Sequence, residues 1–139
     1  MKALTISQPF AFLIADGQKP VENRSWPTNY RGSLAIHAGQ GTQYLTKKEL
    51  ENYTTGAIVA TCELVTCLDV TNPSEKQRQE LAAAGIGLDE ILGHKHCEGP
   101  WAWVLAEVRP CNPVPITGKQ GLWDVPPALL AKHVEDLAY

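Results

Sequence analysis

Apolar and polar residues alternate along two stretches of the chain, and this alternation predicts two long strands. In residues 57–70 one face is apolar and Glu63 lies on the opposite face; the apolar positions are Ile58, Ala60, Cys62, Leu64, Leu68 and Val70. Residues 101–108 are predicted to form the second strand, in which Trp101 and Trp103 occupy alternate positions. Large aromatic side chains usually fill space, so both tryptophans are predicted to be core or wall residues.

Helical spacing and capping patterns predict short helices around these strands. A helix over residues 8–15 is expected to be capped by Ser7 and to end before Gly17. Capping boxes predict two more helices, one from Thr46 to about residue 53 and one that begins after Ser74. The helix after Ser74 has almost nothing to bury, so residues 72–98 are interpreted as a polar helical insertion that is exposed or mobile.

Shorter patterns complete the predicted architecture. Residues 21–24 and 33–37 are expected to be strands, and residues 118–123 a glycine-bounded loop. A proline cluster, Pro110, Pro113 and Pro115, suggests an edge or a bend after residue 108, and a last helix is predicted after Pro126 with Leu130, Val134 and Leu137 on one face. Together these elements favour an α+β fold in which a largely antiparallel sheet curls into a small barrel with peripheral helices.

Composition indicates one soluble globular domain over residues 1–139, with 44% hydrophobic and 19% charged residues. No apolar run is long enough to span a bilayer, and the start of the chain lacks a secretory signal, so a cytoplasmic protein without a membrane partner is expected. Four cysteines without a C-x-x-C pair predict reduced thiols. The run from His94 to Cys97 lacks a further ligand at recognisable spacing, so neither a metal nor another cofactor is expected.

The charge distribution limits the ways in which this chain could bind nucleic acid. The net charge is -3, although the first 50 residues hold six Lys or Arg against three Asp or Glu. A pI near 5.8 argues against the broad basic face that sequence-independent nucleic-acid binding requires. A focused pocket or a short bound strand remains open.

The densest charge cluster lies in residues 17–24, where Lys19, Glu22 and Arg24 follow one another closely. Two interpretations are open from the residues alone. The cluster is either a solvated ion-pair network, worth about 0–1 kcal/mol per pair, or the polar floor of a binding cleft.

Several motifs in this order resemble those of ASCH domains, which belong to the PUA-like β-barrel superfamily. The matching segments are Ile6-Ser7-Gln8-Pro9-Phe10-Ala11, the G-x-K-x-x-E-x-R run of residues 17–24, Ser25-Trp26-Pro27, Tyr30-Arg31-Gly32, Ala35-Ile36-His37-Ala38 and the late Gly118-x-x-Gly121-x-Trp123 loop. The resemblance covers nearly the whole chain. It implies a closed or partly closed PUA-like β-barrel and a module that binds RNA or a modified nucleobase or nucleotide.

Under this resemblance the charge cluster becomes the floor of a ligand cleft. Lys19 would hold the Glu22 carboxylate ionised so that it accepts hydrogen bonds from a base amino group, and Arg24 would contact a phosphate or stack on a base. Aromatic side chains would sandwich the ring, loop N–H groups would bind an anion or carbonyl, and His37 would donate a hydrogen bond or act as a general base. The predicted ligand-binding residues are Lys19, Glu22, Arg24, Trp26, Tyr30, His37, Gly118, Gly121 and Trp123.

Two other functions stay open. The acetylcytidine amidohydrolases are similar to this chain at the first helix and the lysine, and they use a lysine, a threonine three residues later and a distant glutamate; ribonuclease activity is also associated with the family. A hydrolase would use Lys19, Glu22 and Glu63, although Glu22 stands where the amidohydrolases have threonine. The second alternative is a protein-interaction or regulatory domain that uses the acidic second half or the 72–98 insertion.

Overall fold

The computed structural model describes residues 1–132, which form six strands and four helices. Their hydrogen-bonded strand order is β2-β5-β4-β3-β1-β6, and short helices accompany this sheet, so the predicted α+β class is confirmed. In chain order the elements are β1 (Lys2–Ile6), α1 (Phe10–Ala15), β2 (Val21–Arg24), β3 (Gly32–Ala38), β4 (Ala57–Asp69), α2 (Glu75–Ala83), α3 (Leu88–Leu92), β5 (Trp101–Pro115), β6 (Leu122–Asp124) and α4 (Pro127–Lys132).

The first of two compact units contains Met1–Gln18, Ser33–Cys62 and the described residues from Val108 onward. Within it β1 runs parallel to β3 and antiparallel to β6, so that Leu4 lies opposite both Ile36 and Leu122. A buried apolar cluster fills this unit: Ala3, Ala35, Ile58, Val114, Trp123 and Val125. This compact unit is called the first unit below.

The second unit contains Lys19–Gly32 and Glu63–Glu107. Here β2 pairs antiparallel with the start of β5, and the register places Glu22 opposite Trp103. The core of this second unit is built by β2, β4, β5 and the two helices α2 and α3, through Val21, Leu68, Leu81, Ile91, Ala102 and Val104.

The local patterns predicted strands β2, β3 and β4 to within a residue or so of their observed bounds, but β1 was not predicted. Its five residues are too short for alternation to stand out, yet β1 lies between β3 and β6 in the sheet. Strand β6, residues 122–124, was also missed, because its first two residues were interpreted as the end of the 118–123 loop. The pairing of β1 and β6 with each other makes both segments strands.

Two predicted helix starts differ from the structure. The side chain of Ser7 does not cap α1; the helix begins at Phe10, and Gln8 Oε1 accepts a hydrogen bond from the Phe12 N–H at 2.9 Å. Thr46 and Glu49 do make the reciprocal capping-box bonds, but only turns follow them. That segment is short and mostly exposed, so it lacks the buried face on which most short helices depend.

Strand β5 extends beyond the predicted residue 108 and includes the prolines, which were predicted to lie at an edge or a bend. Strand β2 pairs with β5 only over residues 101–104, so the prolines fall on a part of β5 that β2 does not cover. A missing N–H is tolerated at such positions. Glu107, within β5, has a positive φ of 51°, a left-handed conformation that is uncommon for a residue other than glycine.

The insertion holds α2 and α3, and α2 is better anchored than its polar sequence suggests. The predicted capping box between Ser74 and Gln77 is present. Leu81 is buried in the second unit and anchors the helix, whose other residues are exposed or half-buried, as its polar sequence predicts. Of the predicted last helix, Pro127–Lys132 is seen, whereas Val134 and Leu137 lie outside the described residues.

Candidate functional site

The charge cluster is built on β2, whose alternation separates core from polar residues. Val21 points into the core of the second unit, so the neighbouring position Glu22 and the alternate position Arg24 share the other face of the strand. Lys19 precedes β2 by two residues. Gly17, with φ of 82°, ends α1 in the left-handed conformation that glycine adopts without strain and so turns the chain toward Lys19.

Lys19, Glu22 and Arg24 form one connected ion-pair triad. The Lys19 ammonium donates to Glu22 Oε1 at 3.2 Å and to the Val21 carbonyl oxygen at 2.6 Å. Arg24 approaches the other carboxylate oxygen, Oε2, with both Nε and Nη2 at 3.1 Å. The carboxylate is therefore held between two cations, each on its own oxygen.

The triad is buried unevenly. Lys19 is only 4% exposed and Glu22 8%, whereas the Arg24 side chain keeps 23% of its surface accessible. Removing two charges from water costs several kcal/mol per ion, roughly, and their attraction and hydrogen bonds must offset that cost. The arrangement leaves the guanidinium as the most accessible charged group of the triad.

Two tryptophans pack on this face of the second unit. Trp103, which lies opposite Glu22, is fully buried and donates its indole N–H to the Trp26 carbonyl oxygen at 3.1 Å. The Trp26 ring meets Trp103 edge to face, with 4.9 Å between ring centroids, and remains partly exposed. Trp103 is thus a core residue, in agreement with the prediction of a core or wall role, and Trp26 keeps accessible aromatic surface.

Asn23 is a residue of the motif whose role was not predicted. Its side-chain amide donates to the His96 carbonyl oxygen, and its oxygen accepts the N–H groups of Glu98 and Gly99, all at 2.9 Å. Asn23 therefore ties β2 to the segment before β5. Burial lowers the pKa of His96 in this segment, and the charge of the Lys19 ammonium adds to that effect.

Arg31, from the Tyr30-Arg31-Gly32 motif, fixes the turn after β2. It donates to the carbonyl oxygens of Thr28 and Tyr30 at 2.6 and 2.9 Å, and to Glu80 of α2 at 2.7 and 3.3 Å. Tyr30 itself is half-buried. Desolvation would raise the pKa of Glu80, but the hydrogen bonds from Arg31 and Thr66 outweigh it and the pKa is lowered.

We expect the Arg31–Glu80 contact to make stability depend on pH. Because the folded-state pKa of Glu80 lies below its unfolded value, the contribution is present at neutral pH and lost as the pH falls through the folded-state pKa. Glu80→Gln should cost about 1–2 kcal/mol at pH 7, since the pair is partly solvated, and little in acid. Urea unfolding of both proteins at several pH values checks this; a pH-independent difference would contradict it.

His37 lies in the first unit and is 1% exposed. Its Nε2 must donate to the Ile116 carbonyl oxygen at 2.7 Å, so its Nδ1 accepts the Thr5 hydroxyl at 3.2 Å. Thr5 Oγ1 in turn accepts the indole N–H of Trp123 at 3.0 Å. Burial lowers the pKa of His37 against the opposing hydrogen bond to Ile116, which favours the neutral ring.

The late loop surrounds the same histidine. Trp123 is 5% exposed and packs edge to face on His37, so most of its ring is in the core. A β-carbon at Gly118 would lie 2.6 Å from both His37 Cε1 and Thr5 Oγ1. Gly121 has a positive φ of 68° and open space around it. In this loop Gly118 permits a close approach, and Gly121 permits a turn.

The predicted site residues thus fall into two groups. The second unit brings together Lys19, Glu22 and Arg24, and it also holds Trp26, Tyr30 and Glu63; Glu63 is partly buried, with Oε2 3.9 Å from where a β-carbon of Gly32 would lie. The first unit brings together His37, Gly118 and Trp123, and it also holds Gly121.

Within residues 1–132 no group of three or more His, Cys, Asp or Glu side chains is arranged to hold a metal ion. His94 and His96 stack their rings, with 5.6 Å between centroids, without such a set around them. None of the helices in the described part of the chain combines the length and apolar character needed to cross a bilayer.

Comparison with known proteins adds a family and a fold. The family model for the ASCH domain matches residues 4–115, which includes residues of both units. The crystal structure of ASCH from Zymomonas mobilis is similar, with a TM-score of 0.56 and 15% identity over 96% of this chain and 93% of that one. Two single-substitution mutants of that protein give TM-scores of 0.55 at 18% identity. No curated protein matches significantly.

Proposed function

Because this chain belongs to the ASCH domain family and has its PUA-like fold, we propose that it is a binding module for RNA or for a nucleobase or nucleotide, centred on Lys19, Glu22 and Arg24. Trp26 and Tyr30 of the same unit extend this recognition site. Fold alone does not fix function. The proposal is therefore supported by the chemistry of the triad, and family membership adds to it.

The observation that carries the proposal is the burial of Lys19 and Glu22 as a pair beside a more accessible arginine. A buried ion pair is weak evidence for stability, because well-packed apolar residues of the same volume are often as good or better. Such a costly arrangement is more readily explained by a role in recognition. It fixes a carboxylate and a guanidinium in one place before a ligand arrives, which lowers the entropy cost of binding.

The two partly available groups favour complementary parts of a nucleotide. Each carboxylate oxygen of Glu22 has more than one lone pair, so it can accept from a base amino group while it keeps its cation. The guanidinium of Arg24 suits a phosphate, to which arginine donates in a planar fork, or a base face. Trp26 offers a ring on which a base can stack, worth about 1–3 kcal/mol.

Arg24→Ala is expected to weaken binding of a short fluorescent single-stranded RNA by about tenfold or more, because a hydrogen bond to a charged group is worth about 1.5–3 kcal/mol. Anisotropy titrations at several salt concentrations measure the affinity. The matched control is Arg78→Ala, which removes an exposed arginine of α2 in the same unit. Equal affinities of the two variants would overturn the proposal.

The same titrations show what Arg24 contacts. If it binds a phosphate, Arg24→Ala lowers the slope of log affinity against log salt by about one contact; if it stacks on a base, the slope stays and only the affinity falls. Nucleosides carry no phosphate, so calorimetric titrations with them show whether the site recognises the base or the phosphate backbone.

The hydrolase alternative would rest on Lys19 and Glu63, with Glu22 in the place of the threonine. The Lys19 ammonium already donates to Glu22 and to Val21, so a proton would have to leave this network before the amine could act as a base. Incubation with N4-acetylcytidine and with short RNA, followed by mass spectrometry, tests it. If the wild type forms a product and Lys19→Met does not, the chain is an enzyme and the binding-module proposal is replaced. If it captures a protein partner only when residues 72–98 are present, an interaction domain is favoured.

A further inference from the structure

A cavity of about 270 Å³ lies within the first unit and contains none of the predicted site residues. One wall is the outer face of α1, a second is the turn at residues 52–54, and the floor is formed by β4 and β5. Phe12, Ala15, Asp16, Tyr53, Val59 and Cys111 are among its lining residues. This volume is at the small end of ligand pockets and suits a one- or two-ring group.

Two aromatic side chains form the rim of this cavity. Phe12 is 43% exposed, which is unusual for a large apolar residue, and its ring meets Tyr53 edge to face at 5.6 Å. Rings held in this geometry present both a face and an edge to a third aromatic ring. They also attract a cation, because the ring face carries negative charge density.

The cavity is held open by a buried glutamine. Gln8 is 2% exposed, and its amide donates to the Thr54 carbonyl oxygen at 2.8 Å while its oxygen accepts the Phe12 N–H at 2.9 Å. One side chain therefore fixes α1 and the 52–54 turn at a set separation. The two walls that carry Phe12 and Tyr53 are positioned before any ligand binds.

The charge of the lining selects among ligands. The carboxylate in the lining of the cavity belongs to Asp16, which is exposed at the end of α1. The lining includes no lysine, arginine or histidine. A phosphate or carboxylate at the mouth would be repelled by Asp16, whereas an ammonium would be attracted. This is the opposite preference to that of the triad in the second unit.

We propose that this cavity binds a planar aromatic ring carrying a positively charged amine, with the ring against Phe12 and Tyr53 and the amine toward Asp16. The floor, which includes Val59 and Cys111, excludes water from the buried edge of the ring. The cavity shares no lining residue with the Lys19–Glu22–Arg24 triad, so this proposal stands apart from the proposed nucleotide site.

Three indole compounds of similar size test the proposal: tryptamine as the cation, tryptophol as the neutral analogue and indole-3-acetate as the anion. Titration of the full chain, followed by ¹H–¹⁵N correlation spectra, should shift the amide signals of Tyr53, Val59 and Cys111. Tryptamine should bind about fivefold more tightly than tryptophol, since one unscreened charge pair at about 4 Å in water is worth about 1 kcal/mol, and indole-3-acetate, which Asp16 repels, should bind more weakly than either.

Matched variants separate this site from weak surface binding. Asp16→Asn should remove the preference for tryptamine, whereas Asp89→Asn, at an exposed position of α3, should leave it. Val59→Trp should fill the cavity and abolish the shifts in a protein whose remaining spectrum is unchanged. Equal affinity for cation and anion, shifts elsewhere on the chain, or undiminished binding to Val59→Trp would each overturn the proposal.

Discussion

Replacing Glu22 with leucine is expected to lower the free energy of unfolding by about 3–5 kcal/mol, because the Lys19 ammonium would stay buried without its counter-charge. The Val21 carbonyl oxygen would remain as a partner, but a neutral oxygen does not balance a full charge. Arg24 would also lose the carboxylate that orients it. Urea unfolding followed by circular dichroism gives the free energy directly.

A double variant makes the result interpretable. Lys19→Met combined with Glu22→Leu removes both charges and should recover most of the stability, since the two losses are strongly non-additive for a contacting pair. If the double variant is as unstable as Glu22→Leu alone, the destabilisation comes from packing rather than from charge. The double variant, once folded, should also bind no nucleotide, which separates a functional pair from a structural one.

Gly118→Ala is expected to destabilise the protein by about 1–3 kcal/mol, because the new methyl group would overlap His37 and Thr5 in a packed region. Both neighbours are held by hydrogen bonds, His37 to Ile116 and Thr5 to Trp123, so neither can move without losing one. The unfolding free energy measures the loss.

Gly121→Ala is the matched control for that change. Its β-carbon would meet open space, so the expected cost is the roughly 1–2 kcal/mol of a non-glycine residue in the left-handed conformation. His37→Ala should reduce the additional cost of Gly118→Ala by making room. A Gly118→Ala protein as stable as the wild type would contradict the close approach described above.

Local signals in the sequence predicted most of the elements that do not depend on distant partners. Alternation alone defines β4, and the capping box after Ser74 marks the start of α2. Strand β1 and strand β6 are five and three residues long and owe their conformation to each other and to β3, so nothing local marks them. The proline-rich half of β5 is a similar case, since its place beyond the residues that pair with β2 decides whether prolines are tolerated.

The same distinction applies to the candidate site. Glu22 and Arg24 are alternate residues of one strand and Lys19 lies two residues before that strand, so their proximity was predictable from strand geometry and short sequence separation. Asn23 was overlooked because its partners are 73 and more residues away. His37 and Trp123 were assigned to a cleft, and the missing information was Thr5, on the unpredicted β1, which links them in the interior.

The pairing of β1 with β6 has a consequence for biosynthesis. Thr5 and Trp123 are 118 positions apart, so during synthesis β1 must wait for β6 before its second edge is covered. Contacts of such long range are the slowest to form, and an uncovered strand edge invites pairing with other chains. A nascent chain that has not yet reached residue 122 therefore carries an uncovered edge at β1, and this is the stage at which a chaperone would matter most to this protein.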